Sequence, residues 1–255
     1  MIANYHAHTS RCRHAVGQER EYVQSALKAG MQILGFSDHT PYWFGCDYYS
    51  TYRMFPEQLE DYVNSVLSLR REYAGKIQIP LGVEAEYYPK YFPELMARLR
   101  DTPVEYMLLG QHFVGNEISQ HYCGAPTADP SILLRYCNEV CDAMQTGLFS
   151  YLAHPDLIFF TGEDQIYRHF MRQICREAKS CDLPIEINLL GIARDRNYPD
   201  ERFWQVAAEE GCRVVLGIDA HDPKAMLDQR SEQVARELAA RYGLVPEDFV
   251  QLKHI

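Results

Sequence analysis

Residues 213–221 read RVVLGIDAH, a short aliphatic run that ends in Asp219 and His221. Near the other end of the chain, residues 2–8 read IANYHAH and end in His6 and His8. Side chains alternate between the two faces of a strand, so residues two apart point to the same side. Each segment therefore predicts a strand whose carboxyl end presents two polar side chains together.

Five further apolar runs of this kind alternate with segments of helical period, which is typical of parallel strands joined by helices. The seven predicted strands are Ile2 to His6, Ile33 to Ser37, Ile77 to Val83, Tyr106 to Gly110, Ser150 to Ala153, Pro184 to Ile187 and Arg213 to Ile218. The predicted helices are Glu19 to Ala29, Glu57 to Tyr73, Pro93 to Leu99, Pro130 to Met144, Glu163 to Lys179, Asp200 to Glu210 and Pro223 to Tyr242. Three irregular stretches that follow strands are candidate active-site loops: Thr40 to Phe55, Gly115 to Asp129 and Leu190 to Asn197. The pattern predicts an α/β fold of seven β/α units.

The composition favours one globular domain over residues 1–255, with 47% hydrophobic residues and no linker or repeat. No apolar run approaches the roughly 18 residues of a membrane span, so we expect a soluble, cytoplasmic protein without a membrane partner. A net charge of -10 argues against nucleic-acid binding but not against a small phosphorylated substrate.

The eight cysteines lack any Cys-x-x-Cys pair. We interpret them as reduced thiols, and Asn188 and Cys212 as ordinary core residues.

Histidines and carboxylates follow six of the seven predicted strands. They are His6, His8, Asp38, His39, Glu84, His112, His154, Asp219 and His221. In β/α barrels the carboxyl ends of the strands meet on one face, where the active site is built. Each residue alone is more simply explained as a core histidine, a cap or a solvated charge. Gathered at one ring of strand ends, however, so many polar groups would be costly without a ligand, which favours a metal site.

The same residues carry a resemblance to the polymerase and histidinol phosphatase (PHP) superfamily, in particular to its histidinol-phosphate phosphatases. The matching motifs span nearly the whole chain: HAHTSRCRHA with His6, His8 and His14; FSDHTP with Asp38 and His39; GVEAEY with Glu84; LLGQHF with His112; LAHPD with His154; and GIDAHDP with Asp219 and His221. All nine ligand positions expected of the family are filled. Glu86 competes with Glu84 because residues two apart share a face of the strand. The resemblance favours Glu84, because the glutamate of the family follows a glycine and one further residue, as Glu84 does here.

The resemblance implies a distorted, TIM-like barrel of seven β/α units that holds two or three zinc, manganese or iron ions. The ligands it implies fall into three groups, and Glu84 is shared by the first two. One ion would be held by His6, His8, Glu84 and Asp219; a second, bridged by Glu84, would lie near His112 and His154; and a third would lie among His14, His39 and His221. Ions of this kind polarise phosphoryl oxygens and activate water for attack at phosphorus.

A phosphate-cleaving site also needs cations for the phosphoryl oxygens and a proton for the leaving group. The candidates for phosphate binding are Arg194, Arg53 and Arg196, all in loops that follow strands. Asp219 or His221 is the candidate proton donor, and Trp43 is a candidate for covering an imidazole ring. Each arginine could instead be an ordinary surface residue.

These observations predict a phosphomonoesterase, with L-histidinol phosphate in histidine biosynthesis as the leading substrate. One alternative is another PHP phosphoesterase that acts on nucleotides or nucleic-acid ends. A less favoured alternative is a metal-binding protein without turnover, which would be expected to have lost ligands. The sequence leaves open the identity of the metal and the oligomeric state.

Overall fold

The computed structural model describes residues 1–118 and 121–255, so the predicted loop Gly115 to Asp129 is described except for residues 119 and 120. Its strands are β1 Ala3–Asn4, β2 Ile33–Leu34, β3 Phe36–His39, β4 Leu81–Ala85, β5 Tyr106–Leu109, β6 Phe149–Leu152, β7 Ile185–Asn188, β8 Val214–Gly217 and β9 Pro246–Glu247. Its α-helices are α1 Glu19–Lys28, α2 Leu59–Glu72, α3 Phe92–Arg100, α4 Pro130–Gln145, α5 Asp164–Ser180, α6 Leu189–Ala193, α7 Glu201–Glu210 and α8 Gln229–Arg241. Short 3-10 helices occupy Ser10–Cys12, Pro56–Gln58 and Pro223–Leu227.

The strands form a parallel sheet in the order β3-β4-β5-β6-β7-β8-β9, with β1 paired to β2 beside it. The N-terminal segment completes the ring, because it bonds to β3 on one side and to the chain that follows β8 on the other. On one side the Ser37 amide donates to Ala7 O at 2.8 Å, and on the other the His8 amide donates to Ala220 O at 2.9 Å. The fold is therefore the predicted distorted β/α barrel, with the carboxyl ends of its strands on one face.

Helices form where an apolar stripe faces the sheet and a capping residue precedes it. Asp129 caps helix α4, because its carboxylate accepts from the Ser131 amide, and Pro130 takes the first helical position. Helix α7 begins after Asp200 in the same way and ends at Gly211, whose φ of 71° is the left-handed conformation typical of a helix end. Such local signals explain why the predicted and observed boundaries of these helices agree closely.

Several predicted elements differ from the structure. The strand predicted at Ile77 to Val83 is β4 at Leu81–Ala85, and the helix predicted from Glu57 begins as the 3-10 helix Pro56–Gln58. Three other elements are divided or reshaped. The strand predicted at Ile33 to Ser37 is divided at Gly35, where an added Cβ would lie 2.3 Å from the Tyr106 hydroxyl oxygen. The helix predicted over Pro223 to Tyr242 is interrupted at Asp228, which caps α8 by accepting from the Ser231 amide. The loop predicted at Leu190 to Asn197 begins with the short helix α6, capped by Asn188, which accepts from the Gly191 amide.

The core lies between the sheet and the surrounding helices. Its main cluster includes residues from Ala7 to Leu244, with Trp204 and Tyr62 fully buried. All eight cysteines are free thiols, as predicted. Among the described residues, no helix has the length and apolarity needed to cross a membrane.

Candidate metal centre

The nine predicted ligand residues lie together at the carboxyl ends of the strands. Glu84 is at the centre of this cluster. Its Oε1 lies 2.8 Å from His154 Nε2 and 3.5 Å from His6 Nε2, and its Oε2 lies 2.9 Å from His39 Nδ1. His112 Nε2 is 3.7 Å from Glu84 Oε1. The sequence preference for Glu84 over Glu86 as the central carboxylate agrees with this geometry.

Gly110 on the neighbouring segment makes room for the central carboxylate. A Cβ at this position would lie 1.9 Å from Glu84 Oε1, so a larger residue would displace the carboxylate from the cluster. The glycine is therefore part of the construction of the site.

Asp219 forms a second carboxylate centre directly beside the first. Its Oδ1 is 3.0 Å from His8 Nε2 and 3.5 Å from His6 Nε2. The backbone of Asp219 has a φ of 53° and that of His154 a φ of 30°, a left-handed conformation that costs energy in residues with a side chain. Both residues are thus held in strained conformations that point their side chains into the cluster.

Toward solvent, His14, His39 and His221 form a third group of side chains close enough to share one ion. The rings of His14 and His221 are 4.4 Å apart between centroids. Nδ1 of His14 donates to Cys12 O, and Nδ1 of His221 to Asp219 O, both at 2.9 Å. Because a carbonyl can only accept, the other ring nitrogen of each histidine keeps its lone pair for a ligand.

Three carboxylates support the deeper imidazoles from behind. Glu186 Oε2 is 3.0 Å from His6 Nδ1, and Glu86 Oε1 is 2.9 Å from His112 Nδ1. Asp38 Oδ1 is 3.4 Å from His8 Nδ1. A carboxylate behind a histidine fixes its tautomer and makes it a stronger metal ligand.

The pKa values of His6 and His8, which have a carboxylate behind the ring, are raised. Burial disfavours the charged form of His6, but Glu186, Asp219 and Glu84 outweigh burial and raise its pKa well above the ordinary value. Against the same effect of burial, Asp219 and Asp38 raise the pKa of His8 to about 9.

The pKa values of the third group, His14, His39 and His221, shift in the opposite direction. Burial and the neighbouring His8 hold the pKa values of His39 and His221 well below the ordinary value, and burial lowers that of His14. These rings lie close to one another, so a charge on one disfavours a charge on the next.

The donor set fits divalent ions. Several buried ligand atoms of the cluster have no hydrogen-bond partner among the described residues: His6 Nε2, His8 Nε2, His39 Nδ1, Glu84 Oε2 and His221 Nε2. His8 Nε2 and His39 Nδ1 do lie within 3.0 Å of the Asp219 and Glu84 carboxylates, but none of the five atoms makes a hydrogen bond with the residues that the structure describes, and unpaired buried polar atoms are expensive. Their convergence favours a charged ligand. Mixed nitrogen and oxygen donors of this type suit zinc, manganese or ferrous ions.

A cavity of about 490 Å³ opens above the cluster. Its floor is formed by His14, His39, His112, His154, Asp219 and His221, and its walls by Tyr52, Phe113, Tyr122, Leu157, Leu190, Arg194, Arg196 and Tyr198. Arg194 follows α6 directly, and Arg196 donates to the Tyr198 hydroxyl at 3.1 Å. Both arginines that were expected at Leu190 to Asn197 therefore border the cavity.

Two other predicted substrate-binding residues lie elsewhere. Arg53 is buried and contacts Glu86 and Glu117 instead of lining the cavity, because two carboxylates occupy its guanidinium. Trp43 packs beneath Arg98 of α3, with 5.4 Å between the guanidinium carbon and the ring centroid, and is also absent from the cavity wall. The sequence placed both in a loop after a strand but gave no indication of which way that loop folds.

The strand that appeared to lack site residues supplies two of them. Asn188 Nδ2 donates to Glu186 Oε1 and to Asp219 Oδ2, both at 3.1 Å. The interpretation of Asn188 as an ordinary core residue was therefore wrong. The signal was present in the sequence, because Glu186 and Asn188 are two residues apart at the end of a predicted strand and share the face that points into the barrel.

Fold and site together define a β/α-barrel protein with a buried histidine and carboxylate cluster suited to divalent ions. A model of the PHP domain matches residues 4–189, and the chain belongs to this family.

The chain is also similar to individual proteins. It is 31% identical over 236 residues to the "Probable histidinol-phosphatase" of Deinococcus radiodurans, covering 87% of each chain. It is 27% identical to the protein of that name in Schizosaccharomyces pombe, covering 88% of this chain and 81% of the relative. The histidinol phosphate phosphatase of Lactococcus lactis, solved with zinc, L-histidinol and phosphate, superposes with a TM-score of 0.75 at 20% identity, covering 96% of this chain and 95% of that one.

Proposed function

We propose that this protein is a metal-dependent phosphomonoesterase that hydrolyses L-histidinol phosphate to L-histidinol and phosphate in histidine biosynthesis. The observation that carries the proposal is the position of the Glu84 and Asp219 cluster at the floor of a cavity bordered by Arg194 and Arg196. Relatives named histidinol-phosphatase that match most of the chain support this choice of substrate.

The cluster would hold two or three zinc, manganese or iron ions. His6, His8, Glu84 and Asp219 form one set of ligands, and His112 and His154 complete a second around Glu84. His14, His39 and His221 form the third. When bound, such ions would polarise the phosphoryl oxygens and lower the pKa of a nucleophilic water.

The arginines of the cavity wall would bind the phosphate on the side away from this cluster. Charge spreads over the phosphoryl oxygens as the ester bond loosens, and guanidinium groups stabilise it through paired hydrogen bonds. Arg194 is exposed at the end of α6, where it can turn toward a ligand. Arg196 is oriented by Tyr198, whose ring lies 5.9 Å from the guanidinium carbon.

The leaving alkoxide requires a proton, and Asp219 and His221 are the candidates for delivering it through a water molecule, because Asp219 is ionised and Nε2 of His221 carries no proton. Both border the cavity. His221 Nε2 is buried and has no hydrogen-bond partner within the described chain, so it is free to face a ligand. The amino-imidazole end of the substrate would meet the aromatic wall formed by Phe113, Tyr122 and Tyr198.

We further propose that residues 1–255 act as one domain in the cytoplasm, without nucleic acid or membrane as a partner. The shared core from Ala7 to Leu244 supports a single domain. Eight free thiols suit a reducing compartment, and the net charge of -10 disfavours nucleic acid.

A screen of phosphomonoesters with the zinc-, manganese- or iron-loaded protein tests the substrate. L-Histidinol phosphate should have a kcat/KM well above those of nucleotides, sugar phosphates and oligonucleotide ends. Similar turnover of all these esters would replace the dedicated phosphatase with a broader phosphoesterase, and no turnover of any would overturn the proposal.

A further inference from the structure

Arg53 connects three of the segments that follow strands. Its side chain is only 2% exposed, which is unusual for an arginine in a loop. Nη1 donates to Thr40 O at 2.7 Å, directly after His39, and Nη2 donates to Glu86 Oε1 at 2.9 Å. Nε donates to Glu117 Oε1 at 3.0 Å, beyond the end of β5.

Glu86 connects Arg53 to His112. A single oxygen of Glu86, Oε1, accepts from Arg53, from the Tyr52 hydroxyl at 3.0 Å and from His112 Nδ1 at 2.9 Å. With its Nδ1 proton donated to Glu86, the imidazole presents Nε2 toward Glu84. The second oxygen, Oε2, has no hydrogen-bond partner in the described part of the chain.

The ion pairs of the buried Arg53 are not expected to add much net stability. Replacing such a pair by apolar residues is often neutral, whereas removal of one partner leaves a charge buried without compensation. Arg53 contacts Thr40, which follows His39 directly, and Glu86, which is hydrogen-bonded to His112. These two rings lie 5.1 Å apart between centroids and both face Glu84.

We propose that Arg53 and Glu86 are positioning residues for the metal centre. Arg53 holds the carboxylate of Glu86 against His112, and it also binds the main chain that follows His39. In this way it orients the imidazoles of His112 and His39 toward Glu84. This inference rests on the metal centre of the proposed function but not on its substrate.

The test compares zinc affinity in metal-free protein, measured by competition with a chromophoric chelator. Glu86→Gln keeps the shape and one oxygen acceptor but loses the charge and replaces the second oxygen by an amide donor, whereas Glu86→Leu removes both acceptors. Loss of a supporting contact commonly weakens metal binding by about 10- to 100-fold. We expect a loss near the lower end of that range in Glu86→Gln, and losses toward the upper end in Glu86→Leu and Arg53→Met.

Arg70→Met is the matched control. Arg70 also donates to a main-chain carbonyl, Ile79 O, and pairs with one carboxylate, Glu105, but it is remote from the ligand cluster. Its substitution should leave zinc affinity and the absorption spectrum of the cobalt-substituted protein unchanged, while both change in the Glu86 variants.

Unchanged zinc affinity in folded Glu86→Leu and Glu86→Gln would overturn the proposal, as would an equal loss in Arg70→Met. If Glu86→Leu and Arg53→Met fail to fold, Glu86→Gln alone decides. Zinc affinity is measured without substrate, so a failure of the wild type to hydrolyse L-histidinol phosphate would count against the proposed function and not against this inference.

Discussion

The metal centre has a deep part around Glu84 and Asp219 and an outer part formed by His14, His39 and His221. Both parts are built mainly from histidines, but these are supported differently. In the deep part, His6, His8 and His112 each have a carboxylate behind Nδ1, at 3.0 to 3.4 Å for His6 and His8 and at 2.9 Å for His112. In the outer part, His14 and His221 rest on main-chain carbonyls. The rings of His6, His8 and His112 are thus oriented by a carboxylate behind Nδ1, whereas those of His14 and His221 are oriented by a main-chain carbonyl.

This difference predicts unequal binding of the ions. A carboxylate behind the ring makes the histidine a stronger ligand, and Glu84 and Asp219 add negative charge to the deep part. The outer group of His14, His39 and His221 contains only imidazoles. We therefore expect the ion of the outer group to be held most weakly and to leave first when a chelator is added.

The largest effect is expected from Asp219→Asn, which removes the charge shared by His6 and His8. Activity should fall by about three orders of magnitude or more, because a catalytic ion contributes several kcal/mol to transition-state stabilisation. His8→Ala should behave alike. Circular dichroism should stay close to that of the wild type, since the barrel core supplies most of the burial. Asp222→Asn, an exchange at a nearby helix cap, is the control. Loss of folding in Asp219→Asn would make the ions structural, contrary to this account.

A smaller effect is expected from Arg194→Ala, which alters the cavity wall and neither part of the metal centre. The value of kcat/KM for L-histidinol phosphate should fall by about two orders of magnitude, as is common when a transition-state charge contact is lost. Metal content should not change. Arg241→Ala, at an exposed arginine paired with Glu201, should be neutral in both assays. Activity of Arg194→Ala equal to that of the wild type would remove this arginine from the phosphate site.

The outer part is tested by His14→Ala. The weakest-bound ion should lose at least the 10- to 100-fold in affinity that a missing supporting contact costs, while the deep ions keep theirs. Stepwise removal of zinc with a chelator, followed by metal analysis, separates the two parts. Equal weakening of all ions would show that the deep and outer parts act as one unit.

The smallest effect is expected from Gly217→Ala, which tests the support of the deep part. An added Cβ would lie 1.9 Å from Glu186 Oε1, so Glu186 must move away from His6. Overpacking of this kind costs about 1–3 kcal/mol in the free energy of unfolding. The loss should be larger for zinc-loaded than for metal-free protein in urea titrations. A wild-type midpoint in both forms would show that the carboxylate can move without consequence.

The positions of eight of the nine ligands could be predicted from the sequence because each follows a strand with a clear apolar pattern. His14 instead follows the 3-10 helix Ser10–Cys12, and only the family resemblance indicated it. The parallel arrangement of the strands then brings residues as distant as His6 and Asp219 together without further information. The supporting carboxylate Glu186 was missed, although its spacing to Asn188 follows the same rule as His6 and His8.

The direction of long loops could not be predicted in this way. Arg53 and Arg194 both follow strands in irregular sequence, yet Arg53 turns into the protein and Arg194 borders the cavity. What separates them is tertiary: Glu86 and Glu117 compete for one guanidinium, while the Asn188 cap turns the chain of α6 toward the site. Glu86 and Glu117 are distant in sequence from Arg53, so sequence alone does not connect them. Asn188 is close in sequence to Arg194, but its role as a helix cap was not recognised.

The central claim, a cluster of ions held by nine side chains, is tested most directly by counting metal in active protein purified without chelator. Nine ligands exceed the roughly four that one zinc ion takes from a protein. Elemental analysis should find two or three divalent ions per chain, and phosphatase activity should fall as they are removed. One ion or fewer per chain in fully active protein would contradict the account.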